Sequence, residues 1–123
     1  MAEGFLKRFL PNAQVFSAGT EPAASVHPNA ILVMSERGID ISRNQAKSVN
    51  RFLSQRFDYV ITVCDGAKES CPLFSGLVAH RLHLGFEDPA KVVGSDEFVL
   101  SEFRQIRDAI ELAFREFAER HVP

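Results

Sequence analysis

The residues best equipped for chemistry are two thiols, Cys64 and Cys71, the only cysteines in the 123-residue sequence. They sit in the stretch DYVITVCDGAKESCP, from Asp58 to Pro72. The run Tyr59, Val60, Ile61, Thr62, Val63 is rich in β-branched and aromatic residues, and reads as a strand buried on both faces that delivers Cys64 to its carboxyl end. Asp65, Gly66, Lys68, Glu69 and Ser70 form a polar segment able to turn or to make a short helix, and Pro72 bars its regular continuation. In open α/β sheets ligands bind beyond the carboxyl ends of the strands, so a thiol there with a second on the following loop is a candidate redox pair. If the segment between the thiols were helical, seven residues would separate them by about 10 Å. A disulfide needs α-carbons within about 7 Å, so closure would require that segment to unwind or loop out. The bland alternative stays open at this point: Cys64 as a small buried hydrophobe and Cys71 as an incidental loop thiol. A metal site using both cysteines with His80 and His83 fits poorly, because the cysteine spacing exceeds that of zinc knuckles and residues three apart on a strand point to opposite faces.

Other polar residues speak less clearly. Asp88, before Pro89, suits a turn or a helix cap, and in a loop at the active end of a sheet a carboxylic acid could also protonate a leaving oxygen. His27 and His121 read as surface or capping residues. Arg43 and Lys47 make a small positive patch whose default is solvent, with anion attraction as the sharper reading.

The elements that must position these groups follow from periodicity. MAEGFLKRFL places Met1, Phe5, Leu6, Phe9 and Leu10 on one side of a helix, which Pro11 and Asn12 end. Gln14 to Gly19 reads as a short strand. PNAILVMSERG has Pro28 at a first helical position and Gly38 where a helix stops. Ser48 can cap a short helix from Val49 to Arg56 with Val49, Phe52 and Leu53 on its apolar side. The cysteine-bearing strand follows, and VAHRLHLGF (78 to 86) alternates well enough for one more. From Ser95 to His121 a long helix starts with Ser95 as cap and Asp96 and Glu97 in its first turn. Its predicted apolar stripe is Phe103, Ile106, Ile110, Ala113 and Phe117. The opposite side, with Glu102, Arg104, Arg107, Glu111, Arg115 and Glu119, reads as solvated.

This alternation implies an α/β fold in which parallel strands are joined by helical crossovers. The length suits one domain, residues 1–123, with about two-thirds of the unfolded chain's surface buried. A net charge of -2 gives no electrostatic reason for nucleic acid or an anionic membrane as partner. No apolar run reaches the roughly 18 to 20 residues of a membrane span, and no secretory signal pattern opens the sequence. A cytoplasmic location is expected, where thiols stay reduced and two cysteines are catalytic, metal-binding or inert rather than a permanent staple. An α/β sheet seldom opens on an amphipathic helix, and the pattern reads as though a strand before Met1 were missing.

In order along the chain, SAGTEP (17 to 22), HPNAILVMSERGIDIS (27 to 42), TVCDGAKESCP (62 to 72) and HLGFEDPA (83 to 90) resemble the thioredoxin-coupled arsenate reductases, which share the low-molecular-weight tyrosine phosphatase fold. The resemblance spans nearly the whole sequence. It implies a three-layer sandwich with a short, mainly parallel sheet between helices, and it needs no cofactor. It assigns the redox relay to Cys64 and Cys71 and the general acid to Asp88. In the implied mechanism a nucleophilic cysteine in a Cys-x-x-x-x-x-Arg-Ser loop attacks arsenate while the acid protonates the departing oxygen. The first relay cysteine attacks the nucleophile's sulfur and arsenite leaves; the second resolves that bond, and the resulting disulfide is reduced by thioredoxin.

One departure matters. MAEGFLKRF resembles the helix directly after the anion loop, and the sequence holds neither that loop nor a third cysteine. The expectation is therefore a domain truncated at its N-terminus and lacking its central strand, in which either the remaining strands close up or a second copy of the chain covers the opened sheet edge. Three functions follow: an arsenate reductase inactive as this sequence stands, a non-enzymatic module that keeps a redox-responsive dithiol, or a tyrosine phosphatase of the same fold. The relay pair argues against the last.

Overall fold

Among the described residues the elements follow in the order α1 (Ala2–Phe9), α2 (Pro28–Ser35), a 3-10 turn (Val49–Phe52), β1 (Arg56–Thr62), β2 (Leu77–His83) and α3 (Asp96–His121). The computed structural model describes residues 1–18, 27–44, 49–63, 77–87, 89 and 92–121.

Each helix starts and stops where its sequence dictates. In α1 Glu3 lies in the first turn and Lys7 and Arg8 in the last, which complements the helix dipole at both ends. Helix α2 has Pro28 at its start, and His27 caps it by accepting the Asn29 backbone N–H at Nδ1, 3.1 Å away. The turn that follows Ser35 closes at Gly38, where φ is +74° and the Ile39 N–H turns back to the Met34 carbonyl at 3.1 Å, a conformation that favours glycine. Arg8 then joins the two helices by donating from its guanidinium to the Arg37 carbonyl at 2.6 Å and the Gly38 carbonyl at 3.1 Å. In α3 the Ser95 hydroxyl accepts the Phe98 N–H at 3.2 Å.

Phe5, Ala30, Val33, Met34, Ile41, Phe103, Ile110 and Phe114 form the core, which lies among the helices, with Ile61, Leu84 and Phe86 packed against it from the sheet side. Gly4 lets α1 come close: a Cβ there would stand 3.0 Å from Ile39, 3.1 Å from Met34 and 3.2 Å from Ile41. The buried line of α3 is Phe103, Arg107, Ile110, Phe114 and Phe117. It is rotated from the predicted stripe, for Ile106 and Ala113 are only half-buried.

Arg107, expected on a solvated face, is 5% exposed. Its Nη1 donates to the Val33 carbonyl at 3.0 Å and to Glu36 Oε1 at 2.6 Å, and its Nε to Asp108 Oδ1 at 2.8 Å. These acceptors satisfy the guanidinium, so the residue can lie along the helix–helix seam with its stem among apolar side chains. Arg104 adds a two-pronged contact to Glu36, with Nη2 2.7 Å from Oε2 and Nε 3.1 Å from Oε1.

The side-chain bond from Arg104, followed by that from Arg107, pulls the Glu36 carboxyl from its ordinary 4.5 down to about 2. A carboxylate with a depressed folded pKa gives stability that is present above its unfolded pKa and is lost as pH falls through the folded value. The stability difference between the wild-type chain and Glu36→Gln should therefore be full above about pH 4.5 and vanish by about pH 2. Urea unfolding across that window checks it, and a difference independent of pH would refute the assignment.

The sheet of the described residues has two parallel strands, paired Tyr59 with His80, Ile61 with Leu82 and Thr62 with His83. The mainly parallel α/β architecture thus stands, with four local corrections. Residues 14–18 are not a strand: among the described residues only β1 and β2 form a ladder, and Phe16 instead packs its ring on Phe52 and Phe57, centroids 5.4 and 6.2 Å apart. Gly19 lies outside the described residues. The expected helix from Val49 to Arg56 is one 3-10 turn, because Phe52 is held by those same rings and Arg56 already belongs to β1. Strand β1 is not buried on both faces. Tyr59 and Ile61 meet the helices, Tyr59 edge-on to Phe117 at 5.2 Å, yet Tyr59 to Thr62 are only half-buried on either face and Val63 is 40% exposed. Arg107 is the fourth.

Candidate functional site

Parallel pairing brings the carboxyl ends of β1 and β2 to one edge, and the pairing continues past both strands. The Leu84 N–H donates to the Thr62 carbonyl at 2.8 Å and the Phe86 N–H to the Val63 carbonyl at 3.1 Å. Phe86 is held in turn by its ring, which stacks on Phe114 with centroids 6.5 Å apart. Backbone pairing is thereby carried to Val63, the residue before Cys64, and to Phe86, two residues before Asp88. Cys64, Cys71, Asp88 and Lys47 themselves lie outside the described residues.

A side-chain bond closes the last rung. Thr62 Oγ1 is 2.6 Å from His83 Nδ1 and 3.4 Å from the Leu82 carbonyl. Two proton arrangements satisfy this geometry. A neutral ring protonated at Nε2 accepts the hydroxyl proton at Nδ1; a ring protonated at Nδ1 donates to Oγ1, whose own proton then turns to Leu82. Three rungs earlier His80 stacks on Tyr59 with ring centroids 5.0 Å apart.

Near the start of α1 a second polar group is buried. Glu3 is held by the Ser17 hydroxyl, which donates to Oε1 at 2.7 Å, and by Lys7, whose Nζ is 3.2 Å from Oε2. Sequence reading passed over this carboxylate because a Glu–Lys pair four residues apart on a helix usually faces solvent. Gly4 was the available signal, since it draws this helix against its neighbours. Thr62 has no assigned role in the sequence reading, and His83 enters it only as a poorly fitting metal ligand. Their distance is 21 positions in sequence, and only the parallel register joins them.

His27 caps α2 as expected and also lies over Phe103, ring centroids 4.8 Å apart. Arg43 is exposed. Asp40 beside it has its carboxyl pulled below the usual range, mainly by the Ser42 hydroxyl and backbone N–H it accepts from, at 2.6 and 2.9 Å. Among the described residues no three His, Cys, Asp or Glu side chains are grouped to hold a metal ion, and no helix is long and apolar enough to cross a membrane.

Comparison with known proteins gives these features a setting. The profile of the low molecular weight phosphotyrosine protein phosphatases matches residues 1–122. An arsenate reductase of Halalkalibacterium halodurans is 42% identical over 120 residues, covering 97% of this chain and 85% of its own. One of Bacillus subtilis is 39% identical over the same shares. Among solved structures, an arsenate reductase in the oxidized state superposes with a TM-score of 0.77 at 29% identity, and one in the reduced state with 0.75 at 29%. Each covers 97% of this chain and 86% of the solved one.

Proposed function

The chain belongs to the low-molecular-weight phosphotyrosine protein phosphatase family, and from that premise we infer that it is built for arsenate reduction, with Cys64 and Cys71 as the relay dithiol and Asp88 as the general acid. The observation that carries this reading is 42% identity to an arsenate reductase across 97% of the chain. A phosphatase of the same fold has no use for two spaced thiols, so the relay pair favours the reductase chemistry over the activity in the family's name. The strand ends support the site: backbone pairing beyond β1 and β2 reaches Val63, one residue short of Cys64, and Phe86, two short of Asp88.

In the relay, the Cys64 thiolate attacks a sulfur that already carries the arsenic, a disulfide forms, and arsenite leaves with the electron pair. The Cys71 thiolate then attacks the Cys64 sulfur and frees the first thiol. The Cys64–Cys71 disulfide takes two electrons and two protons from a dithiol protein of the thioredoxin kind, which restores both thiols. Three thiols are needed for that cycle and the sequence holds two. The reading accordingly has the 123-residue chain form and release the relay disulfide without turning over arsenate by itself. A second reading, a redox-responsive module without enzyme activity, rests on the same two-cysteine count.

Mass spectrometry tests the relay. After exposure to oxidised glutathione, Cys64 and Cys71 should be joined in one intramolecular disulfide that thioredoxin reduces, and Cys64→Ser should abolish it. Both thiols remaining free, or capped singly by glutathione, would defeat the relay. Arsenite released from arsenate with thioredoxin as reductant would overturn the claim that this chain does not turn over alone.

A further inference from the structure

We propose that Thr62 and His83 are a positioning pair, which fixes the end of β1 that leads to Cys64 against the end of β2 that leads to Asp88. The inference rests on the relay reading above and adds to it two residues that neither touch substrate nor exchange electrons.

Ladder hydrogen bonds in a parallel pair are evenly spaced and slanted, and the terminal rung has a neighbour on one side only. Strand ends therefore fray first unless something beyond the ladder ties them. Here the Leu84 and Phe86 backbone bonds continue past the ladder, and a side-chain bond of 2.6 Å between residues in direct register on its last rung adds a further tie. The residue after Thr62 is Val63, and the next is Cys64; the chain runs from His83 to Asp88 through Leu84 and Phe86, whose N–H groups bind the Thr62 and Val63 carbonyls.

The pair is adapted to this place. His83 is exposed, so the bond contributes little to burial, and a fully apolar pair would have served packing better. A threonine hydroxyl with acceptors on two sides, Nδ1 at 2.6 Å and the Leu82 carbonyl at 3.4 Å, keeps a partner in either proton arrangement of the ring. The contact thus survives a change of tautomer or charge on the imidazole. Intramolecular thiol chemistry is sensitive to displacements of the order of 1 Å, because its rate advantage comes from pre-set geometry.

The test uses the whole chain equilibrated with reduced and oxidised glutathione, in which Cys64 and Cys71 give up two hydrogens to one oxidised glutathione and yield the protein disulfide plus two reduced glutathiones. The equilibrium constant measures how well the fold presents one thiol to the other. Thr62→Val and His83→Leu should each lower it about tenfold. Thr62→Ser keeps the hydroxyl, and His83→Asn keeps a polar atom near Nδ1; both should stay within about threefold of wild type. The double variant Thr62→Val/His83→Leu should be no worse than either single one, the mark of residues that act as a unit.

Equal constants for wild type, Thr62→Val and His83→Leu would overturn the positioning role and leave the relay intact. Losses that serine and asparagine do not restore, or that add in the double variant, would also overturn it, since they would report general strand damage. A wild-type chain that forms no disulfide would end the relay reading and this inference together.

Discussion

Phe114→Ala is expected to lower the stability of the chain by about 3–5 kcal/mol, the usual range for removing a buried phenylalanine. Phe114 is 1% exposed and belongs to the core cluster. Its ring meets Phe117 edge-on at 6.4 Å and stacks with Phe86 at 6.5 Å. It therefore joins α3 to the segment that runs from β2 toward Asp88. The cavity left by alanine would lie between elements with different neighbours, which limits how far they can collapse to fill it. A domain of this size has only about 5–15 kcal/mol in hand, so the loss is a large share of the total. Urea denaturation at 25 °C checks the loss; a change below about 1 kcal/mol would mean that the ring is not the keystone it is taken for. Phe98→Ala is the control, because Phe98 is half exposed on the same helix and should cost far less.

Arg107→Ala should be the most damaging change among the charged residues, at about 2 kcal/mol. A fully buried ion pair broken on one side costs about 3–5 kcal/mol. The partners here are less buried, with Glu36 32% and Asp108 51% exposed, so solvent recovers part of the loss. The uncompensated remainder is the Val33 carbonyl, which loses the side-chain donor that Arg107 offers at 3.0 Å. Arg104→Ala, by contrast, removes an exposed side chain from an exposed contact and should cost below about 1 kcal/mol. Thermal unfolding of the two variants in parallel checks the ranking, and equal losses would show that burial of the guanidinium is not what matters.

These two residues also show where sequence reading stops. A stripe of positions three and four apart on a helix can be drawn through Phe103, Ile106, Ile110, Ala113 and Phe117 or through Phe103, Arg107, Ile110, Phe114 and Phe117. Hydrophobicity favours the first because it avoids an arginine. The structure takes the second, because the Val33 carbonyl, Glu36 and Asp108 accept from that arginine, and a partner surface is not visible in the helix's own sequence. Where the cues were local, the reading held: Pro28, Gly38 and Ser95 mark helix ends by their own backbone or side-chain chemistry, and α1 and β2 follow their periodicity. It failed for Gln14 to Ala18, where an extended segment becomes a strand only if a neighbour completes its ladder. The site divides the same way. Cysteine spacing was legible, while the Thr62–His83 bond depends on the register of two strands and the Glu3–Ser17 bond on the packing of α1.

The parallel pairing of β1 with β2 also constrains distance along the chain. The polypeptide leaves β1 after Val63 at one edge of the sheet and must re-enter at Leu77, which pairs with Arg56 at the opposite edge. Seven strand residues at about 3.3 Å each put those points about 23 Å apart. The thirteen intervening positions, 64 to 76, could reach about 45 Å if drawn out fully. The connection has about twice the contour it needs. Chain length therefore leaves the register of β1 and β2 to be set by their own ladder and not by a taut connection.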